Sequence, residues 1–252
     1  MNKYSIYDEK IINLAEKGLR PIEISKELNI DSRRVIERLK INNIKYLKGN
    51  SNKEIKPKDK NQYSVLIGTI LGDGCIFKAK ANKNYRMNLA HGLKQKEYFL
   101  YKYNILKSLG FSEPKIEEEF HKKTNKKYYC IKTQSKTNPL FTKLYNIYYK
   151  NGKKIIPKNL INNIDDLVIA IMFFDDGFKT RGTYCIAMNN FDRESINYFR
   201  IILLNKYEIE TTIHKDNTLY IRAKSKNKFK EIVKKYATKD VLYKLGELLE
   251  TS

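Results

Sequence analysis

The chain has 252 residues, with 50 Lys and Arg against 28 Asp and Glu, so its formal net charge is +22. Its 41% hydrophobic and 12% aromatic content excludes wholesale disorder, because that much apolar surface offsets the entropy lost on folding. The longest apolar run, 167–174, falls short of the roughly 20 residues of a membrane span. Cys75, Cys130 and Cys185 form no CxxC pair. We therefore expect no membrane partner and a reducing compartment, either cytoplasm or organellar matrix, without secretion.

The surplus of positive charge indicates a polyanionic partner. An AT-rich coding sequence would explain many lysines, but not why so few acids balance them. Nucleic acid is favoured over an anionic membrane surface, because no segment combines a basic face with an uninterrupted apolar stripe. The first 50 residues hold 11 basic and 7 acidic side chains, so most of the surplus lies downstream.

Residues 1–46 are predicted to form three short helices. Gly18 ends the first, Pro21 begins the second, and Asp31 or Ser32 caps the third after a tight turn. This order resembles a helix-turn-helix module, whose third helix would contact DNA. A small helical bundle with solvated arginines remains the alternative. The DNA-contacting residues predicted on the third helix are Arg33, Arg34 and Arg38.

The rest of the chain is predicted to be a linker and a two-part domain. Residues 47–62 are polar, rich in lysine and almost free of apolar periodicity, which is typical of a linker. Residues 63–252 divide into halves at about 63–151 and 160–252. Each half begins with an apolar helix that ends in an acid–Gly step and continues into alternating strands and amphipathic helices. This repetition predicts a pseudo-symmetric α+β domain.

The two apolar helices carry matching acids. LIGTILGDG, 66–74, and IAIMFFDDG, 169–177, align without a gap and place Asp73 and Asp176 in one column. A carboxylate at a helix C-terminus faces the negative end of the helix dipole, and two on parallel helices would also repel each other. A hard divalent cation removes both costs, because it prefers oxygen ligands. One copy alone fits an ordinary buried helix, but two aligned copies favour a metal site.

These segments resemble the paired motifs of single-chain, intron-encoded LAGLIDADG homing endonucleases, and the resemblance covers about 63–245. It implies two αββαββα-like halves with saddle-shaped antiparallel sheets. NGKKIIPKNL, 151–160, and LYKLG, 242–246, resemble the segments that carry the active-site lysine of each half. The resemblance therefore implies that Lys154 and Lys244 lie beside the scissile phosphates.

Other parts of the chain agree with this family or depart from it. QKEY, 95–98, and NNFD, 189–192, occur where the family has strand-to-helix signatures. Ile171 replaces a typically small residue, so the helix seam is expected to be asymmetric. Asp175 adds an acid where the first motif has Gly72.

Polar and basic side chains recur at every second position after each motif. Such strands have one apolar face and one cationic face, which fits a nucleic-acid partner, although a solvated lysine face is the alternative. A hairpin is predicted over 211–224, turning near Asp216 and Asn217. His91, His121 and His214 lack ligand spacing with the cysteines and are given no catalytic role. The predicted DNA contacts of this region are Lys78, Lys80, Arg86, Asn88, Lys132, Gln134, Lys179, Arg181, Asn189, Lys215, Arg222 and Lys224.

The sequence thus predicts a site-specific endonuclease that cuts double-stranded DNA. Mg²⁺, with Mn²⁺ tolerated, would be bound by the carboxylates of Asp73 and Asp176 and the carbonyls of Gly72 and Asp175. As the resemblance implies, the lysines would polarise water or phosphate, and the products would carry short 3′ overhangs. Because both halves lie in one chain, we expect a monomer and a long asymmetric target.

Two alternative functions remain open at this stage. An intron RNA maturase would use the same fold on structured RNA. A transcription regulator would keep the fold without catalysis, but both aspartates are present.

Overall fold

The structure, a computed structural model, describes residues 4–46, 54–78, 83–121 and 125–247. The chain divides into two compact units, 1–53 and 54–252. Within the described ranges, no helix has both the length and the apolar character needed to cross a membrane.

The described part of the first unit, 4–46, contains three short α-helices at the predicted places, preceded by a 3-10 turn at Ser5–Tyr7. They are α1 Asp8–Glu16, α2 Pro21–Leu28 and α3 Ser32–Ile41. Gly18 follows α1 with φ +84°, a conformation that glycine adopts without strain. The Asp31 carboxylate caps α3 by accepting the Arg33 N–H at 2.8 Å. The apolar interior of this unit consists of Ile11, Ile24, Val35 and Leu39. Its DNA-binding role stays a prediction.

The structure corrects the prediction that Arg38 contacts DNA. Its side chain is buried, and its guanidinium donates two hydrogen bonds to the Asp8 carboxylate, one of them 2.6 Å long. A buried bidentate pair of this kind joins α3 to α1. Arg38 is therefore a structural residue of the first unit, while Arg33 and Arg34 remain exposed and pair with Asp31 and Glu37.

The second unit alternates helices with short strands. Its helices are α4 Lys60–Leu71, α5 Lys96–Leu106, α6 Pro139–Tyr148, α7 Asp166–Asp176, α8 Arg193–Tyr207 and α9 Lys226–Lys234. Its strands are β1 Cys75–Phe77, β2 Arg86–Gly92, β3 Lys115–His121, β4 Lys126–Gln134, β5 Tyr149–Lys150, β6 Lys153–Lys154, β7 Gly177–Lys179, β8 Tyr184–Ala187, β9 Thr211–Ile213 and β10 Thr218–Ile221. Among its 3-10 helices, Lys158–Asn162 lies between the two halves and Lys239–Leu245 lies near the end of the second half.

The two halves repeat one topology. The first sheet has the order β1-β2-β4-β3 and the second the order β7-β8-β10-β9, with every pairing antiparallel. In β2 the inward residues Met87 and Leu89 are buried, while Asn88 between them is exposed, so the predicted alternation holds there. The pseudo-symmetric α+β architecture is confirmed.

The second unit begins earlier than the predicted linker boundary. The Ile55 N–H donates to Asn138 Oδ1 at 3.1 Å, and the Ile55 side chain packs against the main core. Asp59 caps α4 by accepting the Gln62 N–H at 2.7 Å. The predicted linker 47–62 is therefore too long, because residues 54–62 belong to the folded core. Residues 47–53 lie outside the described residues.

The motif helices α4 and α7 form the central seam. A Cβ on Gly68 would lie 2.8 Å from the Cβ of Ile171, and one on Gly72 would collide with the Asp175 carboxylate. Because these two contacts advance in the same direction along both helices, α4 and α7 run parallel and their C-termini meet. The seam is asymmetric at both of these contacts, as expected from Ile171, because each glycine on the α4 side faces a larger residue on α7.

Candidate active site at the paired helix ends

The two aligned acids lie where the motif helices end together. Asp73 follows the helix-capping Gly72, and Asp176 is the last residue of α7. Burial, and then the negative charge of Asp175, raises the pKa of Asp73, although 37% of its side chain reaches solvent. Burial, followed by the charges of Asp73 and Asp175, raises the pKa of Asp176 to about 7. Crowded, partly desolvated carboxylates of this kind are stabilised by a bound cation.

Each predicted lysine contacts the carbonyl next to one of these acids. Lys154, at the end of β6, donates from Nζ to the Gly72 carbonyl. Lys244 donates from Nζ to the Asp175 carbonyl at 2.7 Å. Burial lowers the pKa of both ammonium groups, while the three aspartates act against that shift. The structure therefore brings together all four residues predicted to be catalytic, as two matched acid–lysine pairs.

Each lysine lies on a segment that leaves its own half and contacts the other. The segment after Lys154 packs on α8, where the Ile156 N–H donates to Ser195 Oγ at 3.0 Å. The segment before Lys244 packs on α5, where the Tyr98 N–H donates to Asp240 Oδ2 at 3.1 Å. This exchange of segments fixes the lysines relative to the helix ends.

The side chain of Asp175 is fully buried beneath the two acids. Its Oδ1 accepts from Lys102 Nζ at 2.6 Å and from the Tyr98 hydroxyl at 2.8 Å, and its Oδ2 accepts the Asp73 N–H at 2.9 Å. Burial would raise the pKa of Asp175, but the positive charge of Lys102 and these hydrogen bonds hold it below its usual value. Sequence reasoning predicted only the carbonyl of Asp175 and missed this carboxylate and its partners.

His91 is a further residue that sequence reasoning missed. It is 4% exposed, with Nδ1 3.5 Å from Asp73 Oδ2 and 3.3 Å from Gln95 Oε1. Burial, with the charge of Lys102, lowers its pKa to about 3, so the imidazole is neutral near pH 7. Its position was readable from the sequence, because His91 is the polar member of the inward row that Met87 and Leu89 begin on β2.

The available ligands fit a hard cation at Asp73 and Asp176. Both carboxylates are incompletely compensated, and oxygen is the ligand type that Mg²⁺ prefers. The Gly72 and Asp175 carbonyls each accept from a lysine and keep a second lone pair. Ligand atoms of Asp73, His91 and Asp175 also lie within 4.8 Å of one another, but the Asp175 carboxylate is already neutralised by Lys102.

One face of the first sheet carries a connected set of predicted DNA contacts. Arg86 donates to Gln134 Oε1 at 2.5 Å, and Gln134 donates to Asn88 Oδ1 at 2.7 Å. Lys132 on the same face pairs with Glu117 at 2.6 Å and with Glu119 at 3.4 Å. The first sheet is therefore less uniformly cationic than the sequence pattern predicts, because acids on the neighbouring strand β3 reach its lysine diagonally across the strand pair.

The second sheet differs from prediction at its last strand. The predicted hairpin forms, but β10 ends at Ile221, and the next residues enter a short 3-10 helix. Arg222 and Lys224 are therefore not alternating strand residues, and both pair with Glu210. Lys80 lies outside the described residues. The remaining predicted contacts are exposed in the structure, and they are Lys78, Lys179, Arg181, Asn189 and Lys215.

Comparison with known proteins agrees with the topology of the second unit. The sequence pattern of the LAGLIDADG DNA endonuclease family matches residues 63–231, and the chain belongs to this family. The solved structure of the homing endonuclease I-WcaI bound to its DNA recognition sequence superposes with a TM-score of 0.68 and 26% identity. That match covers 79% of this chain and 94% of that chain. The LAGLIDADG fold predicted from the motifs is confirmed.

Two curated relatives carry a different functional name. The chain is 28% identical over 202 residues to the cytochrome b mRNA maturase bI2 of Debaryomyces hansenii, and the match covers 77% of each protein. It is 31% identical over 217 residues to the cytochrome b mRNA maturase bI2 of Saccharomyces cerevisiae, covering 80% of this chain. The chain spans about half, 51%, of the length of that yeast relative.

Proposed function

We propose that this chain is a homing endonuclease that makes a divalent-metal-dependent double-strand break in a long asymmetric DNA target. The observation that carries the proposal is the pair of matched centres at the helix ends. Each centre has one carboxylate with a raised pKa, and one half-buried lysine on the adjacent carbonyl. Two such centres in one fold suit two phosphates on opposite strands, and the same duplication in one chain suits a monomer.

Asp73 and Asp176 would hold Mg²⁺, with Mn²⁺ tolerated, and the carbonyls of Gly72 and Asp175 would assist. When bound, the ion lowers the pKa of the attacking water and stabilises charge on the leaving 3′ oxygen. The protein contributes the placement of the two carboxylates, because the glycines of α4 let α7 approach and bring the helix ends together.

Lys154 and Lys244 supply the positive charge of each centre. An ammonium group has three donors, and each of these lysines uses one on a backbone carbonyl. The remaining donors are available for a phosphate oxygen or the attacking water. Burial strengthens that interaction, because the site has a lower effective dielectric than water.

The polar faces of the two sheets would bind the DNA. Arg86 and Gln134 carry the donors that pair with guanine and adenine in the major groove, and a two-stranded ribbon fits that groove. In the free protein these side chains bond to one another, so DNA would replace protein partners of the same chemistry. We propose short 3′ overhangs as products and an organellar matrix or cytoplasm as the location.

The test is cleavage of the protein's own insertion site. The full chain is incubated with Mg²⁺ and a DNA that spans the point where its gene is inserted, with the gene removed. We expect a double-strand break with 3′ overhangs, mapped on each strand by end sequencing. The same DNA with the gene in place, and an Asp73→Asn/Asp176→Asn variant, serve as controls. Absence of cleavage in Mg²⁺ and in Mn²⁺ would contradict the proposal.

An RNA maturase is the second candidate, because two relatives with 28% and 31% identity carry that name. The test is splicing of the transcript that contains the coding sequence, with and without the protein. Faster splicing without cleavage of the gene-free DNA would favour this function over the endonuclease. Splicing that persists in the Asp73→Asn/Asp176→Asn variant would show that the two functions use different residues.

A further inference from the structure

Positions in the two halves can be matched through strand register. Cys75, the residue directly after the first motif, pairs with Asn88 on the next strand. Phe178, the residue directly after the second motif, pairs with Cys185. His91 and Met188 each lie three residues further along. The helices that follow match as well, because Gln95 precedes α5 and Asp192 precedes α8 at the same distance. The matched pairs, first half to second, are His91 with Met188, Tyr98 with Ser195 and Lys102 with Phe199.

The first half is polar at all three of these buried positions, whereas the second half has two apolar residues and a serine. His91, Tyr98 and Lys102 surround the Asp175 carboxylate, which α7 inserts into the space that Gly72 leaves on α4. The serine, Ser195, is engaged elsewhere, by the Ile156 N–H. Among the described residues, the buried polar cluster is therefore one-sided.

This cluster contacts Asp73 at two points. Asp175 Oδ2 accepts the Asp73 N–H at 2.9 Å, and His91 Nδ1 lies 3.5 Å from Asp73 Oδ2. Lys102 and Tyr98 both donate to Asp175 Oδ1. These two bonds hold the Asp175 carboxylate in place, so that its other oxygen, Oδ2, can accept the Asp73 N–H. Asp73 needs external support because it follows the end of α4, whereas Asp176 is still a helical residue of α7.

We propose that His91 and Asp175, with Asp175 held by Lys102 and Tyr98, are positioning residues that fix Asp73 and not Asp176. The inference rests on the proposed endonuclease function, since it assigns the cluster to one of the two centres. Side chains held by a buried shell keep reacting groups within the narrow geometry that catalysis requires.

The contacts speak against two other roles for the cluster. A cation between Asp175 and His91 would lie against the Lys102 ammonium, 2.6 Å from the same carboxylate oxygen. A purely structural role would rest on the packing of the His91 ring against Tyr98 and Phe99, which a methionine side chain can largely replace, because His91 Nε2 has no hydrogen-bond partner among the described residues. A substitution of His91 that slows cleavage without lowering the melting temperature would therefore indicate positioning and not stabilisation.

The first experiment is His91→Met, which installs the residue that the second half already has at the matched position. On the proposed target DNA, labelled on each strand in turn, Lys154→Met marks the strand cut at the Asp73 centre, and Lys244→Met marks the other. We expect His91→Met to slow the Lys154-marked strand by about tenfold and the other by less than about twofold. DNA affinity in EDTA and the melting temperature should stay near the wild-type values. Met188→Leu, the matched control, should change neither strand.

The second experiment needs neither metal nor cleavage. In the Lys102→Met/Asp175→Ala variant the Asp73 N–H loses its acceptor without leaving a buried charge, and alanine is close to the glycine that α4 has at the matched position. We expect hydrogen exchange of the Asp73 amide, measured by NMR without metal, to accelerate at least about tenfold, while that of Asp176 stays unchanged.

The outcomes separate this inference from the proposed function. If the wild-type protein cuts no DNA, the endonuclease proposal fails, and the amide exchange alone decides whether the cluster supports Asp73. If the protein cuts but His91→Met slows both strands equally, or slows the Lys244-marked strand, the positioning role is wrong. Unchanged exchange at Asp73 in the double variant would overturn it as well.

Discussion

The two halves of the second unit share one scaffold but differ beneath the active site. Strand order, helix position and the placement of an acid and a lysine repeat from one half to the other. The interior under the acids does not, because Lys102 and His91 in the first half correspond to Phe199 and Met188 in the second. The outer hairpins also differ, since β3 and β4 have 7 and 9 residues, while β9 and β10 have 3 and 4.

This difference shows which features two-fold repetition requires. Packing of α4 on α7 and the crossing of each lysine segment require both halves to keep the same backbone. A buried side chain near the seam packs against residues of the other half, so one half can change if the other compensates. Asp175 and Gly72 are such a pair, since the larger residue fills the space that the smaller one leaves.

The largest expected effect comes from removing either acid. Asp73→Asn or Asp176→Asn should abolish double-strand cleavage, because a metal ligand contributes several kcal/mol, or about two to three powers of ten in rate. DNA affinity should remain within about threefold, because neither carboxylate contacts phosphate directly. Strand-resolved cleavage and a gel-shift titration check both points. Wild-type rates in both variants would show that the centres lie elsewhere.

The buried ion pair gives the next largest effect, on stability. Lys102→Met leaves Asp175 buried without its counter-charge and should lower the free energy of unfolding by about 3–5 kcal/mol. The matched change in the second half, Phe199→Leu, only shortens an apolar side chain and should cost about 1 kcal/mol. Urea unfolding of the full chain measures both. Equal losses of unfolding free energy would mean that the interior under the acids does not differ between the halves. The double variant Lys102→Met/Asp175→Asn should recover most of the loss seen in Lys102→Met.

Substitution of each lysine should slow cleavage of a different DNA strand. Lys154→Met is expected to slow one strand and Lys244→Met the other, each by about ten- to a hundredfold, because a charged hydrogen bond contributes about 1.5–3 kcal/mol. Cleavage of a supercoiled plasmid that carries the target should then accumulate nicked circles with either variant. If both variants slow the same strand, the assignment of one lysine to each centre is wrong.

The metal-free protein should become less stable as pH rises through neutrality. The folded pKa of Asp176 is about 7 against an ordinary value of 3.8, so the folded state binds more protons than the unfolded state between these values. Stability is then greatest below about pH 4 for this group and is lost as pH rises toward 7, by about 2 kcal/mol between pH 5 and 7 once solvent screening is allowed for. Melting curves in EDTA check this. The slope should flatten in Asp176→Asn.

The smallest effect is expected from the first unit. Deleting residues 1–53 should leave cleavage at saturating protein unchanged, because both centres remain. Affinity should fall, and the slope of log K against log salt should become shallower by about 0.9 for each phosphate that Arg33 and Arg34 neutralise. Arg38 should not contribute, since it pairs with Asp8. An unchanged salt slope would mean that the first unit does not touch this DNA, and a truncated chain that fails to fold would give the first unit a structural role.

Sequence reasoning performed best where the signal is local. The starts of α2 and α3 follow from Pro21 and the Asp31 cap, and the ends of α4 and α7 follow from their acid–Gly steps. It was less accurate for side chains paired across strands. Lys132 was predicted to contact DNA, but in the structure it forms a diagonal ion pair with Glu117 on β3, and the strand pairing that brings them together is not visible in the sequence.

The sequence by itself determined the duplication, the positions of the two acids and the surplus of positive charge, because each is a local pattern or a count. Only the tertiary structure decided that Asp175 is buried against Lys102 and that His91 reaches Asp73, since these contacts join residues 73 and 18 positions apart. From sequence alone, a charged side chain is expected to be exposed to solvent, because charged residues are rarely buried unless they are paired. It becomes a buried positioning residue only when distant segments supply its counter-charge and exclude water, and for Asp175 those segments are α5 and the end of α4.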